Sequence, residues 1–315
     1  MVATMRGEVA PEQLGTTLMH EHVFVLNPEV AANFPTGWDE EAAVAGAVER
    51  MSELRAAGVD TIVDLTVVGI GRDIPRLQRV AEATDLQIVV ATGLYTFHDV
   101  PMYFAFRKTD VMTGYFVEDI ETGIAGTGVR AGILKCATDE AGVTRGVERV
   151  LRAVARAHRQ TGVPISTHTH ARSERGLDQQ RIFAEEGVDL TRVVIGHSGD
   201  TTDLAYLEKL AGAGSYLGMD RFGLEMFLGF DERVDTVAAL CLRGLAGQVV
   251  LSHDAGCHTD AFDEAVREQV APRWHHLHIT QDVVPALRQR GVTDEQVHQM
   301  LVDNPRRIFS VTGGY

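Results

Sequence analysis

Eight short apolar runs alternate with polar or amphipathic segments along the chain, and this alternation constrains the fold more than any other feature. The runs are residues 16–22, 61–66, 87–91, 132–136, 164–168, 193–197, 215–220 and 249–254. Several of them are apolar on both faces, which is typical of a parallel sheet covered by helices. Eight strands alternating with helices in 315 residues predict a single-domain (β/α)8 TIM barrel over residues 1–315.

The segments between the runs carry helix signals. The clearest helix follows the fourth run, where Val147, Val150 and Val154 form an apolar stripe and Arg152 and Arg156 lie on the opposite face. The other predicted helices cover residues 40–57, 75–83, 175–186, 202–211, 233–245 and 281–290, with short ones near Glu118 and from Asn304. Pro28–Asp39 and Tyr95–Met112 are predicted as loops, and Ala255–Ile279 as a long segment after the eighth strand.

A doubly wound open sheet is the main alternative to a barrel. Such sheets often bind nucleotides through a glycine-rich turn after a strand. No G-x-G-x-x-G or G-x-x-x-x-G-K-[ST] motif follows any of the eight runs, which disfavours this alternative.

Charge and cysteine content restrict the partners and the compartment. The formal net charge is −15 and no basic cluster occurs, so nucleic acid and anionic membrane surfaces are poor candidates. The three cysteines are scattered, without a C-x-x-C motif, which indicates a reducing compartment. Residues 1–15 contain no apolar signal-peptide core and no run reaches membrane-spanning length, so we expect a cytoplasmic protein.

Side chains with metal-binding chemistry stand at the ends of five runs. They are His20, His22, Lys135, His168, His197 and Asp254. In an extended strand His20 and His22 share a face, roughly 6–7 Å apart, while Glu21 points the other way. Because all strand ends of a barrel converge on its C-terminal face, we expect the whole set to meet there.

Lys135 leaves two chemistries open. If its amine reacts with carbon dioxide, the resulting carbamate is an anionic oxygen ligand that can bridge two metal ions. A lysine in a barrel can also form a Schiff base with a carbonyl substrate. The surrounding histidines favour the metal interpretation.

Taken in order, these motifs resemble the phosphotriesterase family of the amidohydrolase superfamily. The resemblance runs from Gly15 to Phe309, and it includes Gln179-Gln180 and the run Gly196–Thr201. Within the family the chain is most similar to the phosphotriesterase-like lactonases. Two residues carry that similarity, Tyr95 after the third strand and Arg221 after the seventh. In the lactonases, residues at these places contact the substrate and anchor a lid.

The resemblance implies two divalent metal ions bridged by N6-carboxylated Lys135. His20, His22 and Asp254 would complete one site, and His168 and His197 the other. Zinc is the metal we expect, although the same ligands suit cobalt, manganese and iron. Asp254 would act as general acid and base. The resemblance also implies a homodimer.

The expected main substrates are N-acyl-homoserine lactones and related lactones, with phosphotriesters as minor substrates of the same site. A phosphotriesterase, or another ester or amide hydrolase on the same metals, is the first alternative. A Schiff-base lyase using Lys135 and a non-catalytic metal-binding protein are more distant ones.

The segment Ala255–Ile279 resembles a substrate lid. Its apolar residues Trp274, Leu277 and Ile279 could contact an acyl chain, although a packed surface loop is an equal alternative. The nearby His275, His276 and His278 are interpreted as a polar loop face rather than a third metal site.

Overall fold

The computed structural model describes residues 1–34, 37–261, 263–310 and 313–315. Its strands are β1 (Val2–Thr4), β2 (Gly7–Val9), β3 (Thr17–Val25), β4 (Thr61–Asp64), β5 (Gln87–Gly93), β6 (Ile133–Thr138), β7 (Ile165–Thr169), β8 (Val193–Ile195), β9 (Tyr216–Met219), β10 (Val249–Leu251) and β11 (Gly256–Thr259). β1 and β2 pair as a small antiparallel sheet, and the other nine strands lie in one sheet with parallel neighbours.

The sheet closes into a barrel through the eighth run, which is bent into two short strands. β10 pairs with β9, and β11 pairs with β3, so the last part of the sheet meets the first. Between β10 and β11, the Asp254 amide donates to the His20 carbonyl at 3.0 Å and the His22 amide donates to the Ala255 carbonyl at 2.8 Å. The predicted barrel is therefore confirmed; the prediction of one domain over residues 1–315 stays a prediction.

Helices cover the outside of the sheet. They are α1 (Pro28–Asn33), α2 (Glu40–Ala56), α3 (Ile74–Ala83), α4 (Met102–Ala105), α5 (Thr109–Glu121), α6 (Arg145–Thr161), α7 (Arg175–Glu185), α8 (Leu204–Gly212), α9 (Phe230–Leu242), α10 (Glu264–Val270), α11 (Val284–Gln289), α12 (Asp294–His298) and α13 (Asn304–Phe309). The α6 stripe is buried as predicted, and Gly162 ends the helix with a left-handed φ of 77°. Within the described residues, no helix is both long and apolar enough to cross a membrane.

Two predicted loops are wrong in part. Pro28–Asp39 contains α1, because Asn27 accepts a hydrogen bond from the Val30 amide and Pro28 stands in the first turn, two start signals that the prediction overlooked. Residues 35–36 of that loop lie outside the described residues. Tyr95–Met112 contains α4 and the first turn of α5, a helix that buries Met112 and Phe116.

The segment after the eighth strand is not one long loop. It contains β11 and α10, and its position 262 lies outside the described residues. Ile279 is fully buried and Leu277 packs against the same core, so these two side chains belong to the barrel rather than to a substrate lid. Two apolar residues packed in a loop are indistinguishable by sequence from two that cover substrate, which is why the sequence left both alternatives open; for Leu277 and Ile279 the packing favours the first.

The apolar core has two layers. The larger layer lies between the sheet and the helices. The inner layer fills the barrel and includes Met19, Val63, Val89 and Ile133. Because side chains alternate along a strand, Lys135 faces the same interior as Ile133, one step closer to the C-terminal face.

Candidate metal centre

Six residues from five strand ends meet at the C-terminal face of the barrel. His20 and His22 stand on β3, Lys135 on β6 and His168 on β7, while His197 and Asp254 follow β8 and β10. The ring of His20 lies 5.6 Å from that of His22 and 4.9 Å from that of His197. The ring centroids of His197 and His168 are 4.5 Å apart, and the two preceding distances also join ring centroids. The structure thus brings the predicted ligands together, and their binding of metal stays a prediction.

The imidazoles of His20 and His22 on β3 each contact a supporting side chain through Nδ1 and Asp254 through Nε2. His20 Nδ1 lies 2.8 Å from Asp220 Oδ2, and its Nε2 lies 3.2 Å from Asp254 Oδ1. His22 Nδ1 lies 2.8 Å from Thr66 Oγ1, and its Nε2 lies 3.1 Å from the same Asp254 oxygen. The two inward nitrogens and Asp254 Oδ1 therefore form one candidate ion site.

His197 follows the same arrangement, whereas the two ring nitrogens of His168 exchange their roles. His197 Nδ1 lies 2.9 Å from Asp220 Oδ1, and its Nε2 faces Asp254 at 3.7 Å. His168 Nε2 lies 3.0 Å from Asp139 Oδ2, which leaves Nδ1 on the side of Tyr95, 3.0 Å from its hydroxyl. Outer carboxylates of this kind fix the ring orientation of metal-binding histidines.

Asp220 lies close enough to His20 and His197 to complete a second cluster of possible ligands. We interpret it as a support instead. Its oxygens contact the two Nδ1 atoms and the His197 backbone amide, whereas the Nε2 atoms face the barrel axis. His197 has a left-handed φ of 57°, so these contacts also hold a conformation that is uncommon for a side chain with a Cβ.

The protonation states suit metal binding. Burial lowers the pKa of His168 to about 4, and it also lowers the pKa values of His20 and His197 well below their ordinary value. These imidazoles are therefore neutral at pH 7, which is the form that binds metal.

Lys135 lies at the centre of the set and is only 1% exposed. Its Nζ is 2.9 Å from His20 Nε2 and donates to the Thr167 carbonyl at 3.2 Å. Burial lowers the pKa of this amine to about 8. A buried amine that is partly neutral near pH 7 can react with carbon dioxide, as a bridging carbamate requires.

Asp254 stays ionised at the same centre. Burial would raise the pKa of its carboxyl, but the adjacent imidazoles of His20 and His22 and the positive charge of Arg221 outweigh burial and hold that pKa well below its usual range. Arg221 donates through Nε to Asp254 Oδ2 at 2.9 Å and pairs with Asp200 at 3.1 Å. Asp254 itself has a φ of 55°.

A cleft with about 710 Å³ of empty space opens beside His168. Tyr95, Phe97 and Phe227 give it aromatic surface, and His170 and Arg172 give it polar surface. Burial raises the pKa of Tyr95, so its hydroxyl remains protonated and can donate a hydrogen bond. Arg221 lies 4.8 Å from the centroid of the Phe227 ring and so connects the cleft to Asp254.

Trp274 stands apart from the residues that line this cleft in the described structure. Its indole nitrogen donates to the His253 carbonyl at 3.0 Å. Contact between Trp274 and an acyl chain stays a prediction. The expected polar loop face is wrong for His276 and His278, which are 5% and 0% exposed. Neither belongs to a cluster that could hold an ion among the described residues.

Sequence reasoning missed the supports Asp220, Asp139 and Thr66. Asp220 ends the seventh run and Thr66 the second, so both carried the strand-end signal that identified the ligands. Asp139 follows the end of β6 directly and had the same signal in weaker form. Gln179 donates to the carbonyl of His168 at 3.0 Å, which gives a structural role to one of the residues that carried the resemblance.

Comparison with known proteins agrees with this geometry. A model of the phosphotriesterase family matches residues 1–309. A phosphotriesterase homology protein of Mycobacterium tuberculosis is 63% identical, with 99% of this chain and 98% of that protein covered. An aryldialkylphosphatase of Saccharolobus solfataricus is 39% identical over 97% of this chain and 98% of its own. The solved structure of the phosphotriesterase from Mycobacterium tuberculosis, also 63% identical, superposes with a TM-score of 0.98 over 100% of this chain and 99% of that one.

Proposed function

The chain belongs to the phosphotriesterase family of hydrolases, and from that premise we propose that it is a binuclear metal-dependent lactonase acting on N-acyl-homoserine lactones and related lactones. The observation that carries the proposal is Tyr95. Its hydroxyl lies 3.0 Å from His168 Nδ1, at the point where the cleft meets the candidate metal centre. A protonated phenol there can donate to a lactone ring oxygen while its ring packs on the ring carbons.

The donor set fits two divalent ions. His20, His22 and Asp254 would hold one ion, His168 and His197 the other, and a carbamate on Lys135 would bridge them. When bound, such a pair supplies an activated water and polarises the carbonyl or phosphoryl oxygen of the substrate.

The side chains of this chain have separate tasks in the proposed reaction. Asp254 is ionised and can accept a proton from the attacking water, then return it to the oxygen released when the ring opens. Arg221 holds one oxygen of Asp254 in place. Phe97 and Phe227 offer the apolar surface that an acyl chain needs.

The first test compares two substrates on one enzyme preparation. We expect kcat/KM to be higher for a long-chain N-acyl-homoserine lactone than for an activated phosphotriester. Longer acyl chains should lower KM until the cleft is filled, by up to about 0.8 kcal/mol for each buried methylene. Metal content should be measured on the same preparation.

The opposite ranking would favour the alternative. If the phosphotriester is preferred by a factor of about ten or more, roughly 1.4 kcal/mol of transition-state stabilisation, the lactonase assignment is wrong. The protein would then be a phosphotriesterase, the activity in the name of the 39% identical aryldialkylphosphatase.

A second prediction isolates the Tyr95 hydroxyl. We expect Tyr95→Phe to reduce lactone turnover more than phosphotriester turnover, because it removes one hydrogen-bond donor and keeps the ring. The loss for the lactone should be about 1 kcal/mol, or roughly fivefold in kcat/KM. Tyr103→Phe is a matched control, since its hydroxyl contacts that of Tyr115 on the exposed surface. Equal losses on both substrates would contradict a substrate-specific role for Tyr95.

The homodimer expected from the resemblance is also a proposal. Met102 and Phe106 are 81% and 90% exposed and offer apolar surface to a partner.

A further inference from the structure

The backbone around Asp254 is held by one buried carboxylate. The two amides that flank Asp254 both donate to Glu21: the His253 amide to Oε1 at 3.0 Å and the Ala255 amide to Oε2 at 3.1 Å. Asp254 lies between them with a φ of 55°, a conformation that side chains with a Cβ adopt rarely. Each oxygen of Glu21 therefore fixes one side of a strained residue.

Glu21 is buried among further donors. It is 0% exposed, and Oε1 also accepts from Ser252 Oγ at 2.8 Å and from His253 Nδ1 at 2.6 Å. Every group within hydrogen-bond distance of the carboxylate is positioned to donate. A glutamine in the same place would turn an NH2 group toward at least one donor and lose that contact.

The position of Glu21 in the barrel explains why such a carboxylate is useful there. Glu21 lies on β3 between His20 and His22, and its side chain crosses to the interruption between β10 and β11. Residues 252–255 lie between the two strands. The Asp254 amide still donates to the His20 carbonyl, whereas the amides of His253 and Ala255 donate to the Glu21 side chain instead of to a neighbouring strand. His253, whose Nδ1 donates to Glu21, also links this stretch to the segment after β11, because its Nε2 accepts a hydrogen bond from the Ile279 amide at 2.8 Å.

We propose that Glu21 is a positioning residue that holds Asp254 in its working conformation through the amides of His253 and Ala255. The proposal rests on the proposed function in one respect, the role of Asp254 in the reaction. In this proposal Glu21 acts through Asp254 and binds neither substrate nor metal itself. Its loss would displace a catalytic group without removing one.

The test uses Glu21→Gln and Glu21→Asp in the full-length, metal-loaded enzyme. The first variant keeps the length and loses the charge; the second keeps the charge but is too short to reach both amides. Because a displacement of ~1 Å at a catalytic group can cost about a hundredfold, we expect kcat per metal-loaded site to fall by about that factor. KM should stay within about threefold, since the cleft is unchanged.

A control separates positioning from general destabilisation. Asn304→Leu removes two buried hydrogen bonds, to the carbonyls of Ala246 and Val249, at the other end of the eighth strand. We expect it to lower the melting temperature as the Glu21 variants do, with kcat per folded site retained. A kcat for Glu21→Gln and Glu21→Asp equal to that of Asn304→Leu would overturn the proposal.

Amide hydrogen exchange in the unmodified protein provides a readout that needs neither activity nor a variant. The amides of His253 and Ala255 should exchange as slowly as those of the barrel strands, and rates typical of exposed loops would overturn the proposal. Activity is followed on whichever substrate the enzyme hydrolyses, lactone or phosphotriester. A wrong substrate assignment therefore leaves this test intact, and the exchange rates decide the placement of Glu21 even if both substrates fail.

Discussion

Replacing Lys135 with alanine should remove most of the bound metal and lower kcat/KM at least about a hundredfold, a loss of roughly 2.7 kcal/mol. Lys135 Nζ lies 2.9 Å from His20 Nε2 in the middle of the candidate ligands. If its carbamate bridges two ions, the alanine variant loses an anionic ligand of both ions together. The metal content, measured by mass spectrometry, should fall in parallel with the rates at which a lactone and a phosphotriester are hydrolysed.

The chain offers a matched control and a rescue. Lys209→Ala removes an exposed amine on α8 and should retain metal and activity. Added acetate or propionate should restore part of both in Lys135→Ala, because a small carboxylate can take the place of the carbamate. Full activity of the wild-type protein after complete removal of metal by a chelator would contradict the metal interpretation. Borohydride trapping of a substrate on Lys135 would support the Schiff-base lyase instead.

The parts of the site that sequence alone predicted share one property. Lys135, His168 and Asp254 each stand at the end of a run whose length and apolar character are visible without any tertiary information. Once the barrel is predicted, topology alone brings these ends together. That His20 and His22 share a face of β3 could be predicted from the two-residue period of a strand alone.

The supports were harder to predict because their role depends on direction. Asp220 serves His20 and His197 only because two Nδ1 atoms from different strands point at it. Glu21 was assigned correctly to the opposite face from its neighbours, but that pattern contains no information about the amides of His253 and Ala255 that it meets there. Contacts between strands far apart in sequence follow from barrel closure, which no local pattern encodes.

The segment after the eighth strand shows the same limit. Its histidines are polar by type, yet His278 is fully buried and pairs with Asp282 at 2.7 Å. A buried histidine with a carboxylate partner and an exposed one on a polar loop have the same local sequence. Only packing against the barrel decides between them.

The second large effect is expected at Asp254. We expect Asp254→Asn to lower kcat about a thousandfold on lactone and phosphotriester alike, the middle of the range for loss of a general acid and base. The carboxylate is ionised well below neutral pH in this setting, so wild-type activity should not decline at mildly acidic pH through protonation of Asp254. Raising the pH should not rescue the asparagine variant, because an amide cannot accept the proton at any pH.

Metal content separates the two roles that Asp254 is assigned. Its Oδ1 lies 3.2 Å from His20 Nε2 and 3.1 Å from His22 Nε2, so it can serve as a ligand, while Arg221 holds Oδ2. An asparagine variant that retains both ions and loses kcat would assign the main effect to proton transfer, and loss of one ion would assign it to ligation. Asp294→Asn, on the exposed surface of α12, is the matched control for the chemical change. Metal ligation and acceptance of the proton both act on the attacking water, which lactones and phosphotriesters share. A loss of kcat confined to one substrate class, or an effect smaller than about tenfold, would therefore contradict the placement of Asp254 at the reacting centre.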